Sequence, residues 1–311
     1  MFSLFQNRHP FTILLMAPLA FALGAVHYAF GDPVEQIWNL GFWKSNFQAS
    51  SFITQLCFIA IVATNAILIS ILFNRINILD NNIFLSGMLY ALFSFSSIDL
   101  NDIGILISDF FLILSLIQIA QIKNNLDARS SIFKAALLLG FAATFNLNYL
   151  LLLLLPFITL SRIRPFVWRE FTLILLAFTV AAAYFGFYSF YYELNFASII
   201  ILPTAAEIES WLVIIGLTLL MLSAIISRNK NVSNPGIRIE KIISIWLIGF
   251  VLLLLSNFLI YWITQHFNWQ NAVFPALYLS YVYSISKTKS LYRFLVYGVL
   301  AFGILRFTDL L

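Results

Sequence analysis

Eleven apolar stretches, with Lys and Arg gathered in every second gap between them, constrain this chain more than any motif it carries. They run Phe11–Phe30, Phe52–Phe73, Ile83–Phe95, Gly104–Gln121, Phe133–Phe145, Tyr149–Leu160, Phe171–Tyr191, Ser210–Ile226, Ile242–Trp262, Ala272–Ile285 and Phe294–Leu311. A helical crossing of a bilayer needs about 20 mostly apolar residues. Charged residues make up 10% of the 311 and apolar residues 62%, whereas a soluble domain carries roughly 25% charge. There is too little charge here to cover a water-facing surface. The expected fold is all-α: one integral membrane domain over residues 1–311, a polytopic transmembrane helical bundle of about eleven spans.

The gaps test the count. With the N-terminus in the cytoplasm, one side receives Arg8, Arg75, Lys123, Arg129, Lys134, Arg162, Arg164, Arg169, Arg228, Lys230, Arg238, Lys241, Lys287, Lys289 and Arg293. That is fifteen of the 17 Lys and Arg, leaving Lys44 and Arg306 elsewhere. A missed span would invert every later loop, so the alternation supports a multi-pass protein of a bacterial inner membrane, N-terminus in and C-terminus out. The net charge of +4 then reflects this positive-inside bias and implies no nucleic-acid partner. The first stretch exceeds a signal-peptide core and lacks a small-x-small cleavage site, so it is expected to be a retained span. The one cysteine, Cys57, excludes an intrachain disulfide and a thiolate cluster. In a Cys57→Ser background, cysteines at Gln36 and Asn101 are expected to label from outside, and at Asn125, Pro165 and Val232 from inside. Labelling of position 101 from the inside alone would invert the map from the third span onward.

Phe133–Phe145 and Tyr149–Leu160 are short for crossings and are parted only by Asn146, Leu147 and Asn148. They read either as two tightly linked spans or as a re-entrant hairpin. Both readings keep the parity of every later loop. Irregular backbone at membrane depth survives only where protein or a water-filled cavity satisfies it.

The outer side collects the acids: Asp32, Glu35, Asp99, Asp102, Glu193, Glu207, Glu209 and Asp309, with His27 and His266. In the loop after the first span, Asp32 and Glu35 fall on one face if a helix starts there. Paired carboxylates can hold a divalent cation, or one can act as a base. The same residues with Pro33 also suit the N-cap of an interfacial helix anchored by Trp38, Phe42 and Trp43. Asp99, Asp102 and Asp109 share a helix face that runs into the fourth stretch. Asp109 should sit about 10 Å deeper than Asp102, and within a span it needs a partner, a proton or water. It can be tied to a neighbouring Asn or Ser such as Asn65. Arg306, in the last stretch, can pair with Asp109, hold a phosphate, or snorkel outward beside Asp309.

No Walker loop, GxSxG or HExxH occurs. The three histidines, His9, His27 and His266, are scattered over both sides and are too few for a multi-histidine iron site. No transition-metal or haem cofactor is expected.

FQNRHPF before the first span and RPFVWRE between the sixth and seventh resemble a family of polytopic bacterial inner-membrane proteins, a domain of unknown function sometimes labelled carotene-cleaving oxygenase. More distantly, the layout is similar to the GT-C superfamily of polyprenyl-phosphate-dependent glycosyltransferases. The short first loop, the non-adjacent Asp32 and Glu35, and the lack of a large soluble domain depart from that superfamily. The GT-C resemblance implies transfer of a sugar from a polyprenyl-phosphate-linked donor at the extracytoplasmic face. Asp32, Glu35 and Asp102 would be catalytic, with Asp32 and Asp102 holding a divalent cation (Mg or Mn). Asp99, Asp109, His266 and Arg306 would bind substrate, Arg306 as phosphate clamp. Two other expectations fit the same spans: a non-catalytic subunit contacting membrane lipid and other envelope proteins, or a transporter whose path Asp109, Arg306 and the interrupted hairpin would line.

Overall fold

The structure, a computed structural model, describes residues 16–30, 51–76, 84–98, 102–122, 127–191, 237–264 and 271–285. These residues form nine α-helices and one 3₁₀ segment, with no strand among them. In chain order they are α1 (Met16–Phe30), α2 (Ser51–Arg75), α3 (Leu85–Ser97), α4 (Ile103–Gln121), α5 (Arg129–Phe145), the 3₁₀ segment (Leu147–Leu154), α6 (Leu155–Ile163), α7 (Trp168–Tyr191), α8 (Ile237–Thr264) and α9 (Val273–Ile285). Four of them, within α2, α4, α7 and α8, are long and apolar enough to cross a membrane. The expected spans Ser210–Ile226 and Phe294–Leu311 lie outside the described residues.

α4 sits at the centre, between α2 and α5, with α7 beyond α5; α3 lies against α2 and α9, and α8 closes over the 3₁₀ segment, α6 and α9. Serine hydroxyls in the apolar interior fix the α4–α5 register by donating to carbonyls across the interface, because water is not available to them. Ser108 donates to Ala142 O at 3.0 Å and Ser115 to Ala135 O at 2.9 Å. The two helices are therefore antiparallel and side by side over their whole lengths. α5 has 17 residues against 19 in α4, so the first limb of this hairpin is helical throughout.

The return limb of the hairpin is helical throughout, first 3₁₀ and then α. Asn146 ends α5 in extended conformation, and its Oδ1 accepts from Asn148 N–H at 3.0 Å. The chain then winds as a 3₁₀ helix, with Tyr149, Leu152 and Leu155 buried at every third position, the periodicity such a helix imposes. Pro156, at the second position of α6, lacks the N–H an α-helix would need to continue back through this stretch. Eight residues at about 2.0 Å followed by nine at about 1.5 Å reach roughly 30 Å, the thickness of a bilayer core.

Close approach elsewhere depends on missing side chains. A Cβ on Gly87 would lie 2.3 Å from both Ala66 O and Ser70 Oγ, so α3 touches the backbone of α2. Gly140 meets Ala181 in the same way between α5 and α7.

These directions separate the polar residues. Arg75 ends α2; Arg129 and Lys134 begin α5; Arg162 and Arg164 end α6; Arg169 begins α7; Arg238 and Lys241 begin α8. All the Lys and Arg among the described residues thus lie at one end of the bundle. Asp102, Asn146, Asn148 and Asn271 lie towards the other. At the basic end Arg164 pairs with the buried Glu170 at 3.1 Å across the α6–α7 corner, which gives two residues of the RPFVWRE stretch a structural role. Glu170 stands in the first turn of α7, where the helix dipole favours a negative charge. Arg164→Leu is expected to lower stability by about 3 kcal/mol, because the buried carboxylate is left unpaired. Adding Glu170→Leu should recover much of that loss in a detergent melting series.

Candidate functional site

Asp109 occupies the second turn of α4, fully buried. Five elements converge on it. Tyr90 of α3 donates its hydroxyl to Asp109 Oδ2 at 2.9 Å. Tyr149, from the buried face of the 3₁₀ segment, donates to Oδ1. Asn271, two residues before α9, donates Nδ2 to the same Oδ1 at 3.4 Å and to Tyr149 Oη at 2.6 Å. Asn65 of α2 donates Nδ2 to Tyr90 Oη at 2.9 Å and to Leu106 O at 2.9 Å. The result is a hydrogen-bonded chain with near mirror symmetry: amide to phenol to carboxylate, from both sides.

Local sequence explains each position. Three-residue eclipsing in the 3₁₀ helix turns Tyr149 inward with Leu152. Gly87, one turn before Tyr90, lets α3 approach α2 closely enough for the Tyr90–Asn65 bond. Leu106 O lies one turn before Asp109, so Asn65 ties α2 to the α4 backbone beside the carboxylate.

Both oxygens of Asp109 are engaged by hydroxyl and amide donors. Among the described residues it has no Lys, Arg or His partner. Two acceptors of the same network are buried and unpartnered: Asn65 Oδ1 and Asn271 Oδ1. Buried polar atoms without partners are uncommon in folded proteins, and here two flank a single carboxylate.

The predicted site residues divide sharply. Asp109 lies at the centre of the network. Asp102 is the N-terminal flanking residue of α4, half-buried, and makes no side-chain capping bond. Asp32, Glu35, Asp99, His266 and Arg306 lie outside the described residues. Asn65 serves Asp109 through Tyr90 rather than directly. Tyr90, Tyr149 and Asn271 were not legible as site residues. Each reads in sequence as an aromatic or a cap within or beside an apolar run, and only the abrupt Asn-Leu-Asn-Tyr start of one segment hinted at more. No group of three or more His, Cys, Asp or Glu residues able to hold a metal ion occurs among the described residues.

A separate apolar groove of about 270 Å³ lies between α2 and α4, lined by Ala60, Ile61, Thr64, Ile107 and Phe110. It shares no lining residue with the polar cluster. The chain matches no protein-family profile, no curated protein and no solved structure.

Proposed function

We propose that this chain is a multi-span carrier of a bacterial inner membrane that binds a proton at Asp109. Its basic end faces the cytoplasm, and its eleven spans leave the C-terminus outside. One observation carries the reading: a buried carboxylate, inside a helix apolar enough to cross a membrane, held by two hydroxyls and one amide from α3, the 3₁₀ segment and the approach to α9, and by no cation among the described residues. A carboxylate within a span costs roughly 2.5–3.5 kcal/mol or more. Ionisable residues retained there mark ion or substrate pathways by default. The residues of the cluster are buried, and a proton is the smallest ligand they can take. The departure from α-helix beside it, at Tyr149, is the kind of interruption carriers place at their sites.

A second reading, the glycosyl transfer that the GT-C resemblance implies, is favoured by Asp102. Its carboxylate stands half-buried at the N-terminal end of the same helix. In that reading Asp32, Glu35 and Asp102 act on a polyprenyl-phosphate-linked donor with Mg or Mn, while Asp109, buried and taken up by Tyr90, Tyr149 and Asn271, fixes α4 instead of binding substrate.

Complementation of a deletion strain separates the two. For the carrier, Asp109→Asn loses function at unchanged abundance, while the Asp32→Asn, Asp102→Asn double variant retains it. For the transferase the pattern reverses, and sugar transfer in membranes stops on chelation of divalent cations. Full complementation by both variants would remove both readings and leave the non-catalytic subunit.

A further inference from the structure

Both arms pair a phenol with an amide, and the Tyr90 arm has the Ser94 hydroxyl beside its phenol as well; they differ in how the amide is held, and this assigns them different roles. On the Tyr90 arm, Asn65 Nδ2 is held by the backbone carbonyl of Leu106 as well as by Tyr90. Turning that amide over would set its oxygen against Leu106 O. On the Tyr149 arm, the partners of Asn271 Nδ2 among the described residues are Asp109 Oδ1 and Tyr149 Oη. No backbone group among the described residues holds this amide in one orientation.

Proton binding forces a reversal somewhere in the chain. An ionised carboxylate only accepts, whereas a protonated one must also donate. As arranged, every donor points at Asp109. A proton arriving from water on Oδ1 makes that oxygen the donor to Tyr149 Oη, and the Tyr149 hydroxyl must then turn away and find an acceptor. Asn271 Oδ1, the buried and unpartnered oxygen of the amide that already bonds Tyr149 Oη, can supply it. A half-turn of the Asn271 side chain presents it. Each proton state then leaves one atom of this amide unpartnered, so hydrogen-bond count alone favours neither state strongly.

We infer that Tyr149 and Asn271 form a reversible proton relay, in which the Asn271 amide turns over as Asp109 gains or loses its proton, while Tyr90 and Asn65 form a fixed clamp. Asn271 is thus a positioning residue, acting on the proton through Tyr149 and lying directly before α9. Among the described residues the ionisable groups facing Asp109 are Tyr90 from α3 and Tyr149 from the 3₁₀ segment; α2 and the approach to α9 supply only the two amides. The inference rests on the proton-binding reading above and adds the route by which the proton state reaches α9.

Infrared difference spectra of the full chain in lipid nanodiscs, taken across a pH series with isotope-labelled asparagine, test it. A protonated-carboxyl band that is missing in Asp109→Asn is expected to appear together with a shift of an asparagine side-chain carbonyl band. Asn271→Leu should abolish that shift and move the carboxyl midpoint by about one pH unit, near tenfold in proton affinity, the size of one hydrogen bond to a charged group. Asn65→Leu should keep the asparagine shift. A carboxyl band without any asparagine component overturns the relay and leaves the proton site standing. So does an asparagine shift lost in Asn65→Leu but kept in Asn271→Leu. The labelled unsubstituted protein gives the first of these answers whether or not the variants fold. Absence of an Asp109 carboxyl band at every pH would instead overturn the proton-binding reading itself.

Discussion

Asp109→Leu is expected to be the most damaging side-chain substitution in the described interior, and far worse than Asp109→Asn. Leucine is close in size but accepts no hydrogen bond. It would strand the hydroxyls of Tyr90 and Tyr149 and one N–H of Asn271, all buried. Each stranded donor costs about 1–3 kcal/mol, so a loss of at least about 3 kcal/mol is expected. Asparagine keeps the shape and one acceptor oxygen, and should cost about 1 kcal/mol. The check is a melting series in one detergent, with Tyr90→Phe and Tyr149→Phe as partners in double-mutant cycles. Combining Asp109→Leu with both phenylalanine substitutions removes donors and acceptor together, and should be less damaging than the single leucine change. If Asp109→Leu melts like the unsubstituted protein, the network does not hold the bundle together, and the carrier reading loses the geometry it stands on. Function separates from stability in the asparagine variant, which should assemble normally and lose every proton-dependent readout.

Gly87→Ala is expected to disrupt the same site from a distance. The added methyl would lie 2.3 Å from Ala66 O, a backbone atom, as well as from Ser70 Oγ. A flexible side chain can swing aside, but a helix backbone cannot, so α3 must move off α2. Overpacking of this kind costs typically 1–3 kcal/mol, and the upper end is expected here because the obstacle is main chain. The displacement also carries Tyr90 away from Asn65 and Asp109, so proton-site readouts should change along with stability. Gly186→Ala is the control. A Cβ there meets nothing within 4 Å, and alanine is the better helix former by about 1 kcal/mol, so this variant should be neutral or slightly stabilised. Equal melting of the two variants would mean that α2 and α3 are not in backbone contact, and would remove the basis for the Tyr90–Asn65 bond.

What sequence alone determined is the part governed by one-dimensional chemistry. Long apolar runs with few charges must form helices, because a backbone in lipid has to satisfy its own hydrogen bonds. The alternation of Lys and Arg translates into a bundle whose described cations gather at one end. Asp109 stood out because a carboxylate in an apolar run is costly wherever it points. Its partners did not stand out. Tyr90, Tyr149 and Asn271 are separated along the chain by 59 and 122 residues, and nothing local marks them as neighbours. The turn of Tyr149 toward Asp109 depends on the change from α to 3₁₀ winding ahead of Pro156, which changes which residues share a face. The approach of Tyr90 depends on a glycine whose value appears only when α2 lies against it. Tertiary structure decided the site because a buried hydrogen-bond network needs donors and acceptors within about 3 Å of each other, a condition set by the packing of five elements and by no segment alone.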